Sequence, residues 1–120
     1  MNAREKSSPI VVLKYSDPDL IRKALYSHFS RLRREHAEIK RGIWFGSWIT
    51  GIPTPHSDVD LCLILTHSCK SFRDRLPDYL PSGFPVGVDL FPYTEEEFER
   101  LQADHPAWYR CIAAGLELKD

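Results

Sequence analysis

The chain has 120 residues, 42% of them hydrophobic and 28% charged, and its 16 basic and 17 acidic residues leave a formal net charge of −1. That length suits one domain with a core of its own, and that composition excludes wholesale disorder. The near-balance of charge argues against bulk electrostatic attachment to nucleic acid or to an anionic membrane, although it leaves room for a local basic patch.

In chain order, residues 1–9 read as a loose tail and 10–120 as a single domain, with Ile10 to Leu13 a short apolar run suited to an edge strand or to core packing. Ser16-Asp17-Pro18-Asp19 is a helix start, in which Asp17 caps, Pro18 fits the first helical position and Asp19 favours the positive end. Leu20, Ile21, Ala24, Leu25, Phe29 and Leu32 recur at helical spacing, and the helix is expected to run to Lys40 with Gly42 as its stop. Ile43-Trp44-Phe45 is a short strand ending at Gly46-Ser47, and Trp48 to Ser57, with Gly51, Pro53 and Pro55, reads as turn and loop. Val59 to Leu65 is a second strand, apolar enough to be buried on both faces. Ser71 to Leu80 suits a helix, broken by Pro81-Ser82-Gly83, and Val86 to Phe91 a third strand. Thr94-Glu95-Glu96-Glu97 is a capping box opening another helix. Pro106 to Ala114, closed by Gly115, is the last helical segment, before a short strand from Leu116 to Leu118. The layout is α/β (α+β), a small mixed β-sheet with helices packed mainly on one face.

Chemistry concentrates at two places. Asp58 and Asp60 open the second strand, and residues i and i+2 of a strand point to one face, about 7 Å apart. Two carboxylates placed so repel each other, and a cation relieves the repulsion. Asp89, between Val88 and Leu90, joins the same face if its strand neighbours the second. Three converging carboxylates make a hard oxygen site suited to Mg²⁺ or Mn²⁺ rather than zinc. Upstream, Gly46 allows close backbone approach, and the Ser47 hydroxyl with nearby amides can grip a phosphate. A phosphate grip and metal-binding carboxylates on adjacent strands are what metal-assisted phosphoryl transfer requires.

The run Phe45-Gly46-Ser47-Trp48-Ile49-Thr50-Gly51, followed by Ser57-Asp58-Val59-Asp60-Leu61 and Val88-Asp89-Leu90, resembles the signature of the DNA polymerase beta-type nucleotidyltransferase superfamily. The ending from Thr94 to Leu118 is similar to that of its minimal nucleotidyltransferase subfamily. The resemblance spans Lys40 to Leu118 and implies a nucleotidyltransferase fold. It also implies nucleotide-binding roles for Gly46, Ser47 and Ser57, and Mg²⁺ held by the catalytic Asp58, Asp60 and Asp89. The implied reaction moves a nucleoside monophosphate, AMP from ATP, onto a hydroxyl and releases pyrophosphate. Minimal members are similar to antitoxins paired with helical HEPN toxins, some of which receive AMP on a tyrosine. A pure binding role as such an antitoxin, with a vestigial nucleotide site, is the alternative. One departure from the pattern is Thr50, where many minimal members carry arginine before the second glycine.

Other residues admit plainer readings. Trp48 could stack on a base or serve the core, and Trp108, Tyr109 and Ile112 could form an interface or pack under the sheet. His56 and His67 read as solvated, and Cys62 as packing. Arg31 to Arg34 could face RNA or an acidic partner, but such a run is more often a solvated helix face. The three cysteines, Cys62, Cys69 and Cys111, form no C-x-x-C pair, and Met1 to Ser8 carries no apolar leader. A cytoplasmic setting with reduced thiols and no membrane span is therefore expected.

Overall fold

The computed structural model describes residues 17–54 and 57–119. The tail, the Ile10 to Leu13 run and His56 lie outside that range. Helix α1 (Pro18–Glu35) starts as its residues dictate, with the Asp17 carboxylate accepting the Asp19 amide at 3.0 Å and Pro18 in the first turn. It stops at His36, short of Lys40, because Ile39 already belongs to strand β1 (Ile39–Phe45). Gly42 is thus a mid-strand residue rather than a helix stop. The Phe29 ring of α1 lies where a Gly42 Cβ would be, so the glycine lets helix and sheet meet closely.

A single turn, α2 (Ser47–Thr50), follows β1 within the segment expected to be loop. Then come β2 (Val59–Leu65), α3 (Phe72–Tyr79), β3 (Val88–Thr94), α4 (Glu95–Asp104), α5 (Pro106–Ala113) and β4 (Leu116–Glu117). The sheet order is β3-β2-β1-β4, with β2 parallel to β3 and β1 antiparallel to both its neighbours. Strand β3 starts two residues later than expected and runs through Pro92, which an edge strand tolerates because its outer side needs no amide donor. The Thr94 capping box forms in full, each half bonding the other's backbone.

The small mixed α/β sheet is as expected, but the helices divide between both faces instead of gathering mainly on one. Strand β2 explains this. Val59, Leu61, Leu63 and Leu65 face α1 and α3, together with Ile21, Leu25, Phe29, Leu32 and Tyr79. Cys62 and Ile64 face the other way, against Phe98 of α4 and Ile112 of α5. A strand apolar on both sides needs both sides covered. Trp108 and Tyr109 join that second layer, so they pack against the sheet as Ile112 does. Among the described residues no helix is long and apolar enough to cross a membrane.

Candidate active site

Because β1 runs antiparallel to β2 and β2 parallel to β3, the end of β1 and the starts of β2 and β3 meet at one edge of the molecule. Asp60 stands in register with Phe45 on one side and with Asp89 on the other. Directly paired residues share a face, and alternation puts Asp58 on it too. The three acids of the sequence motif are therefore gathered at one sheet end, on the face that carries Phe45, Cys62 and Phe91 further in. Asp58 and Asp89 are exposed and Asp60 is half-buried.

The electrostatics of that edge are strained. The Asp60 carboxyl is pushed up to about 6, first by desolvation, then by the negative charges of Asp89 and Asp58 and a hydrogen bond with Asp89. Two carboxyl groups can share such a bond only while one keeps a proton. The Asp60 carboxylate lies against Gly46 and that of Asp58 against Gly87, in the spaces where Cβ atoms would otherwise sit. Either glycine replaced by alanine would drive a methyl group into a carboxylate, and Gly46 also holds φ of +88°, which disfavours other residues. Among the described residues no three His, Cys, Asp or Glu side chains stand as a closed set around an ion position. The donors nevertheless suit Mg²⁺ or Mn²⁺ in kind, being three carboxylates on one face.

The raised Asp60 carboxyl makes a stability prediction. A pKa higher in the folded chain than in the unfolded one means that folding takes up a proton, so this group's contribution falls as pH rises from the ordinary value of 3.8 through about 6. The margin by which Asp60→Asn outmelts the wild type should therefore be smallest near pH 4 and grow to a few degrees at pH 7.5, in EDTA. Partial exposure keeps the gain small. Equal melting at pH 7.5 would show that the three carboxylates do not crowd one another.

Beside the carboxylates lies the β1–α2 turn. Gly46 and Ser47 lead directly into α2, whose first internal bonds run from the Ile49 and Thr50 amides to the Gly46 carbonyl at 3.0 and 2.9 Å. The amides of Ser47 and Trp48 come before that ladder begins. Gly51 packs close on Ser47, since a Cβ there would stand 3.1 Å from the Ser47 Cα. Thr50 turns its hydroxyl back to the Gly46 carbonyl at 3.3 Å. Ser57 is used differently from Ser47. Its hydroxyl accepts the Thr54 amide at 2.7 Å and meets the Thr54 hydroxyl at 3.1 Å, inside the loop that leads to Asp58.

Three contacts at this edge escaped the sequence reading. The Trp48 indole donates to the Ser57 carbonyl at 2.9 Å, tying the β1–α2 turn to the residue before Asp58. Half-buried tryptophans generally find a partner for the ring N–H, so that need was legible, but the partner was not. Gly87 accepts the Val59 amide on its carbonyl at 2.9 Å and gives Asp58 its room. Phe45 is the register partner of Asp60. His67 and Cys69 are exposed, at the opposite end of β2 from the carboxylates.

Among solved structures, the chain matches the crystal structure, at 1.40 Å resolution, of a candidate nucleotidyltransferase from Sulfolobus solfataricus, with a TM-score of 0.57. The two are 16% identical, and the match covers 75% of this chain and 79% of that one. The fold is the nucleotidyltransferase fold. No protein-family model and no curated protein matches the sequence. At that identity the likeness speaks for the fold, and the chemistry has to be argued from the residues above.

Proposed function

We propose that the protein is a nucleotidyltransferase that moves a nucleoside monophosphate, AMP from ATP, onto a hydroxyl acceptor. The observation that carries this reading is the Asp60–Asp89 register pair, with Asp58 on the same face and the Gly46-Ser47 turn beside it. Ser47 and the leading amides of α2 would hold the β- and γ-phosphates, as hydrogen-bond donors without internal partners do. Asp58 and Asp60 would hold Mg²⁺, with Asp89 completing the set. Mg²⁺ bound there supplies charge neutralisation at the phosphoryl oxygens. Asp89, which is exposed, would orient the acceptor hydroxyl and take its proton. The acceptor oxygen forms a bond to the α-phosphorus, the bond from that phosphorus to the bridging oxygen breaks, and pyrophosphate leaves.

Titration calorimetry of ATP into the protein, with Mg²⁺ and again with EDTA, tests the reading. Expected is binding that needs Mg²⁺ and is lost in Asp58→Asn. Binding that is unchanged in EDTA and in the variant would remove the carboxylates from the site and end this account.

A further inference from the structure

Beyond the carboxylates, the same face continues into a cluster of three aromatic rings. Phe45 pairs with Asp60, and Phe91 is the next residue after Asp89 to point that way along β3. Trp108, in the first turn of α5, lies across both. Its ring centroid is 5.5 Å from that of Phe45 and 5.1 Å from that of Phe91, both edge-on, and Phe45 and Phe91 are 5.7 Å apart. Phe45 is 2% exposed, whereas Phe91 and Trp108 are only half-buried. The Trp108 N–H is already donated to the Tyr93 hydroxyl at 3.0 Å.

We infer that Phe91 and Trp108 form the shelf on which the nucleobase of the triphosphate stacks. The inference rests on the nucleotidyl-transfer reading and adds a base subsite to it. A triphosphate gripped at Gly46 and Ser47 lies on the β1 side, and its α-phosphorus belongs over Asp60 on β2. The rest of the nucleotide then extends toward β3, where Phe91 stands two residues, about 7 Å, beyond Asp89. Stacking is tolerant of base identity because every base presents a π face. With the indole N–H spent on Tyr93, the shelf grips purines more than pyrimidines by ring area and reads no base edge.

The test compares ATP with inorganic tripolyphosphate, which carries the same phosphates and no base, both with Mg²⁺. The wild type should bind ATP more tightly by about tenfold or more, the scale of one base stacked on an aromatic ring. Trp108→Leu should erase that preference while leaving tripolyphosphate affinity unchanged, which also reports that the variant has folded. Trp108→Phe should keep most of the preference, and Phe91→Leu should lower it by the smaller share of the smaller ring. Equal affinity of the wild type for both ligands would overturn the shelf alone, whether or not any variant folds. Retention of the full preference in Trp108→Leu and Phe91→Leu would overturn it too. Binding of neither ligand to the wild type would overturn the nucleotidyl-transfer reading, and the shelf with it.

Discussion

Replacing Asp58 and Asp60 together with asparagine is expected to lower nucleotidyl transfer about a thousandfold or more while the protein stays folded. Neutralising charge on the transferring group is worth about 4 kcal/mol or more, and each 1.36 kcal/mol is tenfold in rate. The fold should survive because neither carboxylate supports it. Asp58 is exposed, and Asp60 holds its proton against its ordinary tendency. Label from α-labelled ATP recovered on an acceptor measures transfer, and thermal melting measures the fold. The double variant should melt no lower than the wild type at pH 7.5. Undiminished transfer would show that the carboxylates take no part, and collapse of the fold would show that they are structural.

Glu97→Ala should cost about 3 kcal/mol of stability, and about 10 °C in melting temperature for a chain of this size. The Arg75 side chain is 5% exposed, and Glu97 grips it through two bonds, Nη1 to Oε1 at 2.7 Å and Nη2 to Oε2 at 3.0 Å. The same arginine donates to the Pro92 carbonyl at 2.9 Å and to the Lys70 carbonyl at 3.0 Å, so one side chain fastens α3, β3 and α4 together. Glu97 also closes the capping box on the Thr94 amide at 2.9 Å. Removing it leaves a buried guanidinium without its counter-charge, which costs far more than an exposed pair would. Glu97 is 30% exposed, which places the loss at the low end of the range for buried pairs. Its bond to Arg75 holds its carboxyl below the ordinary 4.5. The pair's contribution is therefore full above that pH and is lost as pH falls through the lower folded value. A Glu97→Ala loss under 1 kcal/mol by urea unfolding at pH 7 would sink this account of the core.

How much of this was legible in the sequence depended on the range of the force concerned. The Asp17 and Thr94 caps and Pro18 in its first turn act within four residues, and each stands where its chemistry places it. The Asp58-Val59-Asp60 spacing puts two carboxylates on one face whatever the neighbouring strands do, because side-chain alternation is a property of a single strand. Where propensity and tertiary pairing competed, pairing won. Helical spacing alone would carry α1 to Lys40, but bonding between Ile39 and Leu65 claims those residues for β1. The one-face helix arrangement failed for a related reason: the apolar run of β2 announces that both faces need cover, yet nothing local says which helix goes where.

Residue types and short spacings thus determined by themselves the order of the main helices and strands, the N-terminal caps and a Gly-Ser turn followed by paired acids. Only the tertiary structure decided that β3 lies parallel beside β2, and so that Asp89 meets Asp60 in register and raises its pKa. It also decided that Arg75 is a buried tie rather than a surface charge, and that Trp108 of the last helix packs against Phe45 and Phe91. The physical reason is the same in each case. Hydrogen bonds within a helix or cap join neighbours in the chain, whereas strand order, ion-pair burial and ring packing join residues tens of positions apart. Their partners are chosen by the whole core at once.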